Sequence, residues 1–339
     1  MTAGEVPPGV DLERLRAHLG HRFPGLAAGS LSARLVEGGK SNLTYVVTDG
    51  AVEWVLRRPP LAHVLATAHD MAREHRVMSA LAGTPVPVPA TYGLCEDDDV
   101  LGAPFYLMEK VEGTVFRTEE QTGALGRERA RAIALDLVAV LAELHAVDPD
   151  EVGLAGFGRP EGYLERQVGR WRTQLAASRS REIDGVEELS ATLAAAIPVT
   201  QRAAIVHGDY KLDNVIVGAG DTVAAVVDWE MATLGDPLSD VGLLLLYWGG
   251  FEELPERPVR PEFGFPPGEE LLELYGATAG LDLSPLPWYE AFACFKLAVI
   301  SEGIHFRHLQ GKTVGEGFAE IGGMVEPLVA RGLATLQRR

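Results

Sequence analysis

The chain has 339 residues, 47% of them apolar, enough for two domains or lobes and a sizeable buried core. Its 48 acidic against 30 basic residues give a formal net charge of -18 with no basic stripe, which argues against a nucleic-acid partner. No apolar run reaches the ~18 residues of a membrane span, no leader pattern opens the chain, and Cys95 and Cys294 lie far apart, as reduced thiols do. A cytoplasmic protein without a membrane partner is expected, and nothing in the pattern specifies an oligomer.

A Pro-flanked lead-in carries one helix, Asp11 to Leu19. From Ser32 to Arg57 the chain alternates, with Leu43, Tyr45 and Val47 before Asp49-Gly50 and Val52, Trp54 and Leu56 after it, which predicts a hairpin. Thr67 to Leu81 has helical periodicity, and the proline run 85–89 ends it. Phe105 to Met108 is a short apolar strand. After Gly113 the character changes. Arg127 to Val147 is a long amphipathic helix with Ile133, Leu137, Val140, Leu141 and Leu144 on one face. Helices are also expected over 162–177 and 186–196. Strands follow at Ala204–Val206, Asn214–Val217 and Val223–Val227, and then helices at 269–278, 288–309 and 315–336.

The chemistry concentrates in Val206-His207-Gly208-Asp209-Tyr210-Lys211-Leu212-Asp213-Asn214 and, about fourteen residues on, in Val226-Val227-Asp228-Trp229-Glu230. Phosphoryl transfer to an alcohol needs a base, a metal that bridges phosphate oxygens, a cation for the developing charge and a loop over the phosphates. Asp209 follows an apolar strand and is placed to take a hydroxyl proton. Lys211 supplies the cation. Asn214 and Asp228 are oxygen donors suited to a hard divalent metal.

These strings resemble the aminoglycoside phosphotransferase family, which shares the bilobal protein-kinase fold, and the resemblance covers nearly the whole chain. It implies an α+β fold, with a small β-rich nucleotide-binding lobe at 1–110, a larger mostly helical catalytic lobe at 111–339, and a hinge near 108–113. It implies Asp209 as catalytic base assisted by Lys211, Asn214 and Asp228 as Mg2+ ligands, and ATP or GTP as phosphoryl donor. Arg57 stands where kinases carry a phosphate-binding lysine, and Glu74 would be its partner. Gly38, Gly39, Ser41 and Asn42 resemble a shortened phosphate loop. Gly38-Gly39-Lys40-Ser41 is not a P-loop, because position 34, where that motif needs glycine, is arginine. Backbone groups near Met108, Glu109 and Val111 would meet the base. Asp240, in the tract 235–242, is expected to brace the catalytic loop.

The subgroup resembled occurs alone or joined to acyl-CoA dehydrogenases. It points to a small-molecule hydroxyl acceptor such as a hydroxyacyl-CoA; an aminoglycoside kinase and a non-catalytic nucleotide-binding module are the alternatives. Glu302, His305 and Arg307 on the 288–309 helix are candidate acceptor-binding residues. A protein kinase is disfavoured, because only about ten residues separate Asp228 from the next helix, too few for an activation segment.

Overall fold

The computed structural model describes residues 7–23, 29–36, 42–61, 70–248, 257–311 and 318–337. The chain divides into two compact units, Met1–Gly113 with Ala224–Ala232, and Thr114–Val223 with Thr233–Arg339.

The first unit runs α1 (Leu12–Arg22), β1 (Ser32–Leu35), β2 (Leu43–Thr48), β3 (Glu53–Arg58), α2 (Met71–Leu81), β4 (Thr91–Cys95), α3 (Asp98–Leu101) and β5 (Phe105–Glu109). The strands form one antiparallel sheet in the order β1-β2-β3-β5-β4. The expected hairpin is present, with a four-residue connection. Asp49 Oδ1 accepts from the amides of Ala51 and Val52 at 2.9 and 3.0 Å, and Gly50 takes the positive φ of +91°. Val52 belongs to that turn, and β3 begins at Glu53. Alternation along β3 decides what each face does. Trp54 and Leu56 enter the core with Tyr45, Val47, Phe105, Leu107 and the α1 residues Leu15 and Leu19. Arg57 takes the opposite face and meets Glu74 of α2, a helix that packs on β4 and β5. β4 was not foreseen, because its Thr-Tyr-Gly-Leu-Cys sequence has no clean alternation and a register shift lies between Thr91 and Gly93.

The second unit contains α4 (Glu119–Gly123), α5 (Arg127–Ala146), α6 (Tyr163–Ser178), α7 (Val186–Ala195), β6 (Ala204–Val206) and β7 (Val215–Val217). β8 (Val223–Val226) carries the chain into the first unit, and β9 (Thr233–Gly235) brings it back. Then come α8 (Leu238–Trp248), α9 (Gly268–Ala279), α10 (Leu286–Leu309), α11 (Phe318–Ile321) and α12 (Val325–Gln337). The stripe foreseen on α5 is buried, and α5 packs against α9 and β6. α10 is the central helix, packed by α6, α8 and α12. β6 pairs antiparallel with β9, from Ala204↔Gly235 to Val206↔Thr233. The helix expected over 315–336 is instead two. Gly322 and Gly323, poor helix formers, sit in a 3-10 turn between α11 and α12. A side chain at Gly322 would collide with the His305 ring. Residues 315–317 lie outside the described residues. Among the described residues no helix is long and apolar enough to cross a membrane.

α8 and α10 touch through Gly242. A Cβ there would lie 2.7 Å from the carbonyl carbon of Tyr289 and 2.8 Å from its oxygen. That backbone cannot yield without moving α10. Gly242→Ala is expected to lose about 1–3 kcal/mol in urea unfolding.

Candidate active site

In the second unit the loop that carries Asp209, Lys211 and Asn214 leaves β6 at Val206 and alternates inward and outward. Tyr210 is fully buried, and its hydroxyl donates to the Leu137 carbonyl of α5 at 2.7 Å. Leu212 is also buried, which turns Asp209, Lys211 and Asp213 the other way. Lys211 Nζ lies 2.9 Å from Asp209 Oδ2, 3.8 Å from Asp213 Oδ2 and 4.8 Å from the centre of the Tyr247 ring. Burial works against the Lys211 charge, but Tyr247, Asp209 and Asp213 outweigh it and hold its pKa above the ordinary value. Burial pushes the Asp213 carboxyl up. Asn214 Nδ2 donates to the Asp209 carbonyl at 2.8 Å and to Asp209 Oδ2 at 2.9 Å. Its amide oxygen therefore points away from Asp209 and accepts no hydrogen bond among the described residues.

Asp240, in the first turn of α8, anchors this loop. Its Oδ2 accepts from the His207 amide at 2.6 Å and its Oδ1 from the Gly208 amide at 2.8 Å. His145 Nε2 lies 3.3 Å from Oδ2, while Nδ1 is 2.8 Å from the Tyr275 hydroxyl. Asp240 and Tyr275 thus engage both ring nitrogens of His145. Burial alone would raise the Asp240 pKa, yet the hydrogen bond and charge of His145 and the His207 contacts leave it lowered. The α8 terminus is itself fixed by Asp236. Its Oδ1 accepts from the Leu238 amide at 3.0 Å, and its Oδ2 from the Tyr289 hydroxyl at 2.8 Å. The bracing expected of Asp240 is thus observed. His145, Tyr275 and Tyr289 carried no signal in the sequence, since none belongs to a short motif and each meets its partner across a long stretch of chain.

The first unit holds a second polar cluster. Register places Arg57 opposite Thr44 on β2 and Tyr106 on β5. Its Nε is 3.0 Å from Glu74 Oε2, its Nη2 pairs with Asp228 Oδ1, and Glu230 Oε2 is 4.0 Å away. The Nε contact is an ion pair without hydrogen-bond alignment. Glu74, 1% exposed, accepts from the Tyr106 hydroxyl at 2.9 Å and from Asn42 Nδ2 at 2.8 Å. Asn42 Nδ2 also lies 3.3 Å from Glu230 Oε2. Burial lowers the Arg57 pKa, but Glu74, Tyr106, Asp228 and Glu230 more than reverse this and keep it charged. Asp228 adopts a left-handed backbone, φ +68° and ψ +56°, rare for a residue other than glycine and characteristic of functional loops. Trp229 beside it is fully buried and donates to the Val226 carbonyl at 3.0 Å.

Met108 and Glu109 lie in β5. The Glu109 amide donates to the Ala90 carbonyl at 2.8 Å, whereas the Val111 backbone makes no hydrogen bond among the described residues. Gly38, Gly39 and Ser41 lie outside the described residues. On α10, Glu302 is fully buried. Its Oε1 accepts from the Ser180 amide and hydroxyl at 2.8 and 2.7 Å, and its Oε2 is 3.4 Å from Arg181 Nε. His305 is half-buried and packs on Gly322, and Arg307 is exposed.

Burial pushes the Glu74 carboxyl up to about 7, against the pull of Arg57 and the Tyr106 hydrogen bond. A raised acid pKa favours the fold most below the unfolded value of 4.5, and that contribution is lost as pH rises through about 7. Glu74→Gln imitates the protonated carboxyl and removes the slope. In urea unfolding across pH, wild-type stability relative to this variant should therefore fall from about 4.5 to about 7 and level off above. A difference independent of pH would contradict the shift.

The family model described as the APH phosphotransferase enzyme family matches residues 32–275. Acyl-CoA dehydrogenase family member 11 of Rattus norvegicus is 35% identical over 341 residues, which cover 97% of this chain but 43% of the rat protein. A Ralstonia eutropha crystal structure, provisionally described as an aminoglycoside phosphotransferase, aligns with TM-score 0.84 and 32% identity over 97% of this chain and 98% of that one. The GDP and kanamycin complex of APH(2")-IIIa aligns with TM-score 0.66 over 96% of this chain and 99% of that one, and at 18% identity it attests the fold alone. With its β-rich first unit and helical second unit, the chain belongs to the APH phosphotransferase enzyme family and has its kinase-like α+β fold.

Proposed function

We propose that the protein transfers the terminal phosphoryl group of ATP or GTP to a hydroxyl of a small metabolite, with a hydroxyacyl-CoA as the acceptor class. The observation that carries the reaction is the catalytic loop, where Asp209, Lys211 and Asn214 are linked by contacts of 2.8–2.9 Å and braced by a buried carboxylate. Asp209 accepts or orients the hydroxyl proton. Lys211, kept charged by its carboxylate neighbours, neutralises charge on the transferring phosphoryl group. Arg57, fixed by Glu74, offers its guanidinium to the nucleotide phosphates, and arginine suits this by binding phosphate bidentately. Asn42 is proposed to meet the phosphates, with Gly38, Gly39 and Ser41 assigned the same role on sequence resemblance alone, and backbone groups from Met108 through Glu109 to Val111 are proposed to serve the base.

The donor set fits magnesium. Among the described residues the Asn214 amide oxygen accepts no hydrogen bond, and Asp228 has a second carboxylate oxygen beside the one paired with Arg57. One amide and one carboxylate suit a metal that otherwise keeps water and phosphate oxygens. When bound, magnesium neutralises phosphate charge. The acceptor class is supported by relatives named for acyl-CoA dehydrogenation, of which this chain spans less than half. Arg307 and His305 are the α10 residues proposed to face the acceptor; Glu302, fully buried with its carboxylate on Ser180 and beside Arg181, ties α10 to its neighbours instead.

A nucleotide-consumption screen over hydroxylated metabolites, with hydroxyacyl-CoA thioesters and kanamycin, tests this reading. Turnover is expected on thioesters, and Asp209→Asn should lower it ~10²- to 10⁴-fold while nucleotide affinity stays within about twofold. Full turnover in Asp209→Asn would remove the base assignment, and turnover confined to kanamycin would remove the thioester.

A further inference from the structure

Lys296 sits mid-helix in α10, 88 positions from Gly208, yet its Nζ donates to the Gly208 carbonyl at 2.7 Å. Gly208 is therefore held at both ends, because its amide donates to Asp240 Oδ1 at 2.8 Å. It has a φ of +84°, which glycine adopts without strain. The planar peptide that follows has its oxygen on Lys296 and its N–H on His207 Nδ1, 3.2 Å away. Two contacts at opposite ends of one plane fix its rotation. That rotation sets the direction in which the Asp209 side chain leaves the backbone.

Stability alone does not account for this lysine. It is half-buried, and burial, with Arg170 and Lys211 nearby, lowers its pKa against the pull of Asp209 and Asp240. Among the described residues its hydrogen-bond acceptor is a neutral carbonyl, and the Trp171 ring centre is 5.9 Å away. Among the described residues no carboxylate oxygen lies within ion-pair distance of it. A desolvated ammonium without a carboxylate partner is a poor stabilising device, and such groups cluster at functional sites.

We propose that Lys296 is a positioning residue for phosphoryl transfer, locking the Gly208–Asp209 peptide so that the Asp209 carboxylate faces the acceptor hydroxyl. This rests on the reading of Asp209 as the base. The residue escapes motif recognition because it reaches the loop from a distant helix, not from the loop's own sequence.

The test compares Lys296→Met, which keeps the aliphatic stem without donor or charge, with Lys296→Arg, which keeps both. The first readout is amide exchange of the peptide 204–214, which needs no acceptor. The second is kcat and KM on the best substrate of the screen, with ATP as donor. In the Met variant, exchange at 207–209 should rise at least ~10-fold while α5 is unchanged. Its kcat should fall ~10- to 100-fold with KM for ATP within about twofold. The Arg variant should recover the protection and most of the rate. Unchanged exchange and kcat in Lys296→Met would overturn the proposal. So would faster exchange throughout the second unit in both variants, the signature of a packing residue. A wild type that turns over nothing removes the catalytic role, and the exchange result then decides separately whether Lys296 anchors the loop.

Discussion

The Asp240 carboxylate, 1% exposed, accepts two successive backbone amides of the loop that carries Asp209, Lys211 and Asn214, and faces His145 on its remaining side. A loop that leaves a strand and must hold a carboxylate outward cannot satisfy its own first amides, because neither sheet nor helix continues there. An ionised acceptor in a low-dielectric interior meets this demand with charge-assisted hydrogen bonds, roughly twice as strong as neutral ones. The same burial makes the arrangement brittle, since an unpaired charge left there costs about 3–5 kcal/mol. Much of the second unit serves to keep Asp240 in place. Asp236 caps α8, Tyr289 ties Asp236 to α10, and Gly242 lets α8 and α10 approach backbone to backbone. The loop of Asp209 thus inherits its geometry from the packing of α8 against α10.

The first unit solves a different problem with similar means. Three carboxylates, Glu74, Asp228 and Glu230, gather around one guanidinium. Arg57 alone cannot neutralise them, and Asn42 and Tyr106 add donors to Glu74. The result is a preorganised set of charges on a rigid sheet and helix, in keeping with a nucleotide site. Lysine on the same strand would offer one point charge. Arginine bridges Glu74 and Asp228 at once through different nitrogens.

Much of this was legible because local sequence controls it. Alternation along 43–48 and 53–58 placed Trp54 and Leu56 inward, and so Arg57 on the opposite face with Glu74. The loop string carried Asp209, Lys211 and Asn214 together because they are neighbours in the chain. The limits have equally physical causes. His145, Tyr275 and Lys296 contribute through contacts 88 to 130 positions apart, and no short pattern encodes these. β4 and β9 were missed because short strands with glycine lack periodicity. The last helix was drawn as continuous because its apolar spacing persists across Gly322 and Gly323, where the backbone breaks into a 3-10 turn. Glu302, His305 and Arg307 share helical spacing, but spacing does not reveal depth: Glu302 is fully buried and Arg307 exposed.

Replacement of Asp240 by asparagine tests the anchoring most directly. The new amide group would oppose an N–H of His207 or Gly208 with another donor, and the charge that both amides face would be gone. Urea unfolding of Asp240→Asn is predicted to lose on the order of 3 kcal/mol relative to wild type. A loss below about 0.5 kcal/mol, as for an ordinary surface substitution, would contradict the view that this carboxylate holds the catalytic loop.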